Sequence, residues 1–209
     1  MKDYIKTIDK AERRFMTVEL RAKDKESRLV EGYAAKFNAD SQVFYGSWLE
    51  RIAPGAFSDV LSDESTVALF NHDANFVLAR NGKTLHLTQD DTGLFYRFEA
   101  PNTTAGNDLL ENLRLGNIQK SSFAFTVKKE SWTYSEDRSK PSIRTIEKIE
   151  RLYDVAPVTY PAYEDTSVGN RGFEAVRDEL KRSKDEIQSN ERARAAIQIN
   201  HEIFKLKNY

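Results

Sequence analysis

The sequence predicts a mainly β domain with helices (α+β), followed by a charged helical tail. Short runs in which apolar and polar residues alternate recur along the chain, the period of half-buried strands. A single clear helical stripe, Leu109, Leu110 and Leu113, interrupts them. From Phe173 to Tyr209 the chain contains neither Pro nor Gly and is densely charged, with Phe173, Val176 and Leu180 at helical spacing. Residues 1–172 are therefore read as the main domain and 173–209 as the tail. Many short strands with one inserted helix fit a small antiparallel barrel or a sandwich.

The elements follow in order. Residues 15–21 put Met16, Val18 and Leu20 on one face of a strand. A polar turn at Lys23 to Ser27 leads to a second strand from Leu29 to Phe37, where Gly32 marks a bulge or a close approach. Phe44 to Ile52 reads as a third strand, broken by Ala53-Pro54-Gly55, and Ala56 to Leu61 as one helical turn. Thr66 to Phe70 is a short buried strand ending at His72. Thr84 to Leu87 and Leu94 to Phe98 flank Asp90-Asp91-Thr92-Gly93 as a hairpin. Thr104 is placed to cap the helix and Gly116 to end it. Ile118 to Val127 is a strand carrying Ser121 and Ser122. Residues 129–142 read as a mobile loop, and Ile143 to Val155 as a long strand.

Composition narrows the chemistry. The 209 residues carry a formal net charge of −1, so no global basic field points to nucleic acid or to an anionic membrane surface. There is no cysteine, which removes disulfides, thiolate metal sites and a thiol nucleophile. The first residues have no apolar signal core, and no stretch approaches the length of a membrane span. Gly-rich phosphate loops, zincin histidine pairs and the G-x-S-x-G elbow are all missing.

What remains is a histidine, a serine and an acid on separate strand-like segments, the parts of a base-activated serine nucleophile. Of the three histidines, His86 alternates with Leu85 and Leu87 as a solvent-face residue, and His201 lies in the charged tail. His72 follows a buried run directly and is the best placed for general base work. On a strand, Ser121 shares a face with Phe123 and Phe125, toward the core. Ser122 shares a face with Lys120, Ala124 and Thr126, where small side chains leave room for substrate. A dyad of Ser122 with Lys120 would need a buried lysine, which nothing in the sequence argues for. Asp154 is an acid inside an apolar run, where it needs a partner. Orienting a histidine is one such pairing, and a structural bridge to an arginine is the other. Glu147 and Glu150 are the fallbacks.

A resemblance sharpens this reading. The landmarks run Glu31 to Asn38, Ile52 to Phe57, Leu69-Phe70-Asn71-His72-Asp73, Asp91 to Leu94, Gly116-Asn117-Ile118, Ser122-Phe123-Ala124-Phe125 and Pro157 to Tyr163. In this order they resemble the prohead maturation proteases of tailed phages, over roughly residues 14–172. The resemblance implies a closed or nearly closed antiparallel barrel of the herpesvirus-protease type. It implies a serine endopeptidase with His72 as base, Ser122 as nucleophile and Asp154 as the third member, and no metal or cofactor. The family pattern reads Glu-Val-Ser and Ser-Phe-Gly-Phe where this chain has Asp154-Val155-Ala156 and Ser122-Phe123-Ala124-Phe125.

The resemblance also implies substrates and a place. Expected substrates are the scaffolding protein or a scaffold segment of the major capsid protein, and the chain itself by self-cleavage. The expected place is the interior of the immature capsid in the host cytoplasm, with a homo-oligomer as one arrangement and no membrane or specific nucleic-acid partner. The loop Pro161 to Arg171 is expected to supply oxyanion donors. Two other readings stand beside it: a non-enzymatic capsid-assembly or scaffold protein on the same fold, and a zinc hydrolase using His72, Asp73 and His86.

Overall fold

The computed structural model describes residues 11–17, 21–22, 27–137 and 139–159. The tail from Phe173, His201, the Pro161–Arg171 loop and the 172/173 boundary lie outside them.

Ten strands and one helix make up this part of the chain. The strands are β1 (Glu12–Thr17), β2 (Arg21–Ala22), β3 (Leu29–Lys36), β4 (Trp48–Ile52), β5 (Val67–Phe70), β6 (Asp73–Arg80), β7 (Leu85–Gln89), β8 (Gly93–Glu99), β9 (Lys120–Thr133) and β10 (Ser142–Val158). The helix α1 spans Thr104–Arg114 between β8 and β9. Its cap is Thr103, one residue before the expected Thr104, and the Thr103 hydroxyl accepts from the Gly106 N–H at 3.2 Å. Gly116, with φ of 72°, ends it in the left-handed conformation that favours glycine.

The strands form two sheets. One runs β1-β9-β10-β5-β6 with β4 also on β10, and the other runs β2-β3-β8-β7. Among the described residues neither closes on itself, so of the expected closed or nearly closed barrel the closed form is not met, and the strands lie in two sheets. Nor is the pairing purely antiparallel. The 17-residue β10 pairs antiparallel with β9, parallel with β4 through Ser142–Ile146, and parallel with β5 at Asp154 and Val155. Four register shifts between β9 and β10 accompany this change of neighbour.

The core lies between the sheets. Phe123, Phe125, Ile146, Ile149 and Leu152 of the larger sheet are buried, as are Leu85, Leu94, Tyr96 and Phe98 of the smaller one. Leu109, Leu110 and Leu113 of α1 join the same cluster. One polar contact crosses it, the Tyr96 hydroxyl to Ser121 Oγ at 3.0 Å. Burial raises the pKa of this phenol, and the bond from Ser121 only partly offsets that. Gly93 is required by close approach: a Cβ there would meet the Ala35 carbonyl oxygen at 1.9 Å.

Several local expectations change. β9 runs on to Thr133 and β10 starts at Ser142, so the expected 129–142 loop shrinks to the residues between them. Gly32 pairs regularly with Tyr96, and the irregularity falls between Tyr33 and Ala35. Ala56 to Leu61 is a series of turns, with Phe57 and Val60 buried, rather than a helical turn. Phe44 makes only an isolated bridge to Trp48, where β4 begins.

A charged cluster ties β1, β4, β9 and β10 together. Arg14 bonds Glu12 at 2.5 Å and Glu50 at 2.6 Å, and Arg144 bonds Glu12 at 2.6 Å, Glu50 at 3.0 Å and also Glu130. Burial disfavours the ionised Glu12, but hydrogen bonds and charge from Arg144 and Arg14 outweigh it and hold the carboxyl below its ordinary range.

Candidate active site

Ser122, Asp154 and His72 arrive from three neighbouring elements. Ser122 lies on β9 opposite Ala156 of β10, and Asp154 lies two residues earlier on β10 opposite Ala124. Residues two apart on a strand, and residues directly paired across strands, share a face. Ser122, Ala124, Asp154 and Ala156 therefore occupy one face of the sheet, away from the side of Phe123 and Phe125. The two alanines, Ala124 and Ala156, are buried beside Ser122 and Asp154.

His72 reaches that face through a tight turn. β5 runs parallel to β10 at Val67 and Ala68, then ends at Phe70, which pairs with Asp73 of β6. Asn71 and His72 are the two residues between, with φ of 55° and 58°. Two successive left-handed residues are the signature of the hairpin turn whose twist matches its strands.

The side chains meet in a continuous chain. His72 Nδ1 lies 2.5 Å from Asp154 Oδ1, and His72 Nε2 lies 2.6 Å from Ser122 Oγ. The side chains of His72 and Asp154 are 7% and 8% exposed, and Ser122 is 0% exposed. In the tautomer that carries its proton on Nδ1, the carboxylate accepts from that N–H and Nε2 turns its lone pair toward Ser122, as a general base needs. The Ser122 hydroxyl also lies 2.8 Å from the Arg14 carbonyl oxygen on β1. A hydroxyl has one hydrogen. When it points to Arg14, Nε2 must carry a proton of its own to bond Oγ, and the imidazole is not a base. When it points to Nε2, the nucleophile is ready. Ser122 has no exposed surface.

The other sequence candidates fall elsewhere. Ser121 faces the core against Tyr96. His86 is exposed on β7 opposite Arg97. Glu147 bonds Lys129 at 2.5 Å, and Glu150 is exposed. Asp73 accepts from the Asn75 backbone at 2.8 Å in a local turn. Among the described residues no group of three His, Asp or Glu side chains is placed to hold a metal ion. Sequence reasoning missed the Arg14 carbonyl, since β1 could not be assigned to β9 by periodicity. It also missed Asn71, whose signal is its type: Asn is among the few residues that tolerate a left-handed turn.

The family model described as "Caudovirus prohead serine protease" matches residues 16–183. No curated protein sequence matches the chain. A solved structure titled "Structure of the bacteriophage T4 capsid assembly protease, gp21" aligns over 70% of this chain and 98% of that one, at 11% identity and a TM-score of 0.40. That likeness is too slight to carry any of the argument.

Proposed function

The chain belongs to the caudovirus prohead serine protease family, and from that premise we infer that it is a capsid-maturation endopeptidase with Ser122 as nucleophile, His72 as general base and Asp154 as the group that orients and stabilises the imidazole. The observation that carries this reading is the unbroken contact from Asp154 through His72 to Ser122.

The chemistry follows from that order. Ser122 Oγ attacks the carbonyl carbon of the scissile peptide bond while its proton passes to His72 Nε2. Asp154, in contact with Nδ1, orients and stabilises the imidazolium. The tetrahedral intermediate collapses as Nε2 returns the proton to the leaving amine, giving an acyl-enzyme. Water then attacks the ester, its proton again taken by Nε2, and Ser122 is regenerated with a free carboxyl product. Backbone N–H groups must hold the oxyanion.

The substrates proposed are the scaffolding protein or a scaffold segment of the major capsid protein, and the chain itself. The proposed place is the immature capsid inside the host cell. The full burial of Ser122 favours a second reading, an assembly protein on this fold that does not cleave. Co-expression with the capsid and scaffold proteins, read by mass spectrometry, separates the two. Processing lost in both Ser122→Ala and His72→Ala supports the protease. Processing unchanged in Ser122→Ala supports the assembly protein.

A further inference from the structure

We propose that Asn71 is a positioning residue of this site, bolting the His72 turn to the end of β10 and so setting the imidazole between Asp154 and Ser122. The inference rests on the protease reading above.

The parallel pairing of β5 with β10 registers only at Val67 with Asp154 and Ala68 with Val155. Asn71 carries the connection further. Its backbone N–H donates to the Pro157 carbonyl at 3.1 Å. Its Oδ1 accepts the Thr159 N–H at 2.8 Å, and its Nδ2 donates to Thr159 Oγ1 at 3.3 Å. Pro157 has no N–H of its own. The next donor that meets the turn is the N–H of Thr159, one residue past the end of β10, and the Asn71 side chain supplies the acceptor. The strand that carries Asp154 and the turn that carries His72 are thereby joined directly.

The turn needs such a bolt. His72 has a Cβ and sits at φ of 58°, a region uncommon for residues other than glycine, though Asn, Asp and His enter it more readily than most. Asn71 sits at 55° and is a residue type that accepts this region. It is also exposed, so its contribution is not core packing. With short contacts at both ring nitrogens, the imidazole has little tolerance for drift. A displacement of about 1 Å in such an arrangement costs on the order of 10²-fold in rate.

Two variants separate the bolt from the backbone conformation. Asn71→Gly keeps the left-handed turn and removes the side chain. Asn71→Asp keeps the acceptor for Thr159 and adds a carboxylate beside the turn. Both are assayed as the full chain on a peptide spanning a mapped cleavage site, with Ser122→Ala in parallel. Asn71→Gly is expected to lower kcat by about 10²-fold with KM little changed. It is also expected to abolish the low-field proton resonance of the Nδ1–H shared with Asp154. Asn71→Asp is expected to recover most of kcat, with the acid limb of the pH–rate profile moved to higher pH, because an added negative charge favours the imidazolium.

Wild-type kcat and resonance in Asn71→Gly overturn the proposal, as does a loss confined to KM. If thermal melts show Asn71→Gly unfolded, Thr159→Pro decides, because it removes the N–H and the hydroxyl that meet the Asn71 side chain: a comparable loss of kcat with KM little changed supports the bolt, and wild-type kcat overturns it. Cleavage lost in Ser122→Ala alongside an unaffected Asn71→Gly overturns only the positioning role. Cleavage surviving in Ser122→Ala overturns the nucleophile and the proposal with it.

Discussion

Two polar clusters lie at opposite ends of the same pair of strands. Ser122 of β9 and Asp154 of β10 meet His72, while Glu130 of β9 and Arg144 of β10 meet Glu12, Arg14 and Glu50. Both contain buried ionisable groups, and both depend on β1, through the Arg14 carbonyl in one case and the Arg14 and Glu12 side chains in the other. They differ in what their protons can do. Each guanidinium is charged throughout the accessible pH range, and each bonds from all three nitrogens. No proton in that cluster is free to move near neutral pH. The other cluster sets the His72 imidazole against a hydroxyl with a choice of two acceptors. Burial and charge alone therefore do not mark a reactive site. A group with an unfinished proton inventory does.

The strongest way to break this contrast is to make the relay behave as a plain ion pair. Asp154→Asn keeps the shape but offers an amide to Nδ1, favouring the wrong imidazole tautomer. It is expected to lower kcat by about 10⁴-fold with the fold intact. Asp154→Glu, which keeps the charge on a longer side chain, is expected to retain part of the activity. Single-turnover kinetics with circular dichroism on the same samples reads both. Full activity in Asp154→Asn would reduce the 2.5 Å contact to a structural bridge.

The converse test strikes the other cluster. Arg144→Met removes the cation shared by Glu12, Glu50 and Glu130, leaving two buried carboxylates with one guanidinium between them. Breaking a buried pair in this way costs about 3–5 kcal/mol. Denaturant unfolding is expected to show that loss, while the pH–rate profile of the surviving folded enzyme keeps its shape. A moved limb in that profile would mean the two clusters are coupled through β1.

The residues of the proposed relay are more legible in the sequence than the scaffold that brings them together. His72 announced itself by ending a buried run, Ser122 by sharing a face with small residues, and Asp154 by being an acid among apolar neighbours. Each signal is local. The strand β6 was not visible, because Asp73 to Val77 shows no alternation and much of it is exposed. The second half of β9 looked like a loop because Lys128, Lys129 and Glu130 are charged, yet the ladder to β10 continues through them. The parallel neighbours of β10 were invisible for a different reason. Periodicity shows which face of a strand is buried and is silent on which strand lies beside it. The expectation of a closed barrel failed on that account: the faces were right, but the partners leave both sheets open. Asp154 needed the parallel pairing with β5 to be brought beside the turn of His72.

The smallest expected effect sharpens the contrast at low pH. Glu12 has its folded-state pKa held below the ordinary value of 4.5. A carboxyl with a depressed folded pKa contributes stability that is fully present above its unfolded value and is lost as pH falls through the folded one. In the wild type this contribution is therefore complete at neutral pH and declines below about 4.5, the ordinary glutamate value. Glu12→Gln has no such proton to gain. The stability gap between wild type and Glu12→Gln is expected to be widest at neutral pH and to narrow as the solution is acidified through that window. Urea unfolding of both chains across the acid range measures the gap. A gap that stays constant with pH would show that Glu12 takes up no extra proton on acid unfolding, and that packing around its side chain, rather than its charge against Arg14 and Arg144, is what holds β1 in place.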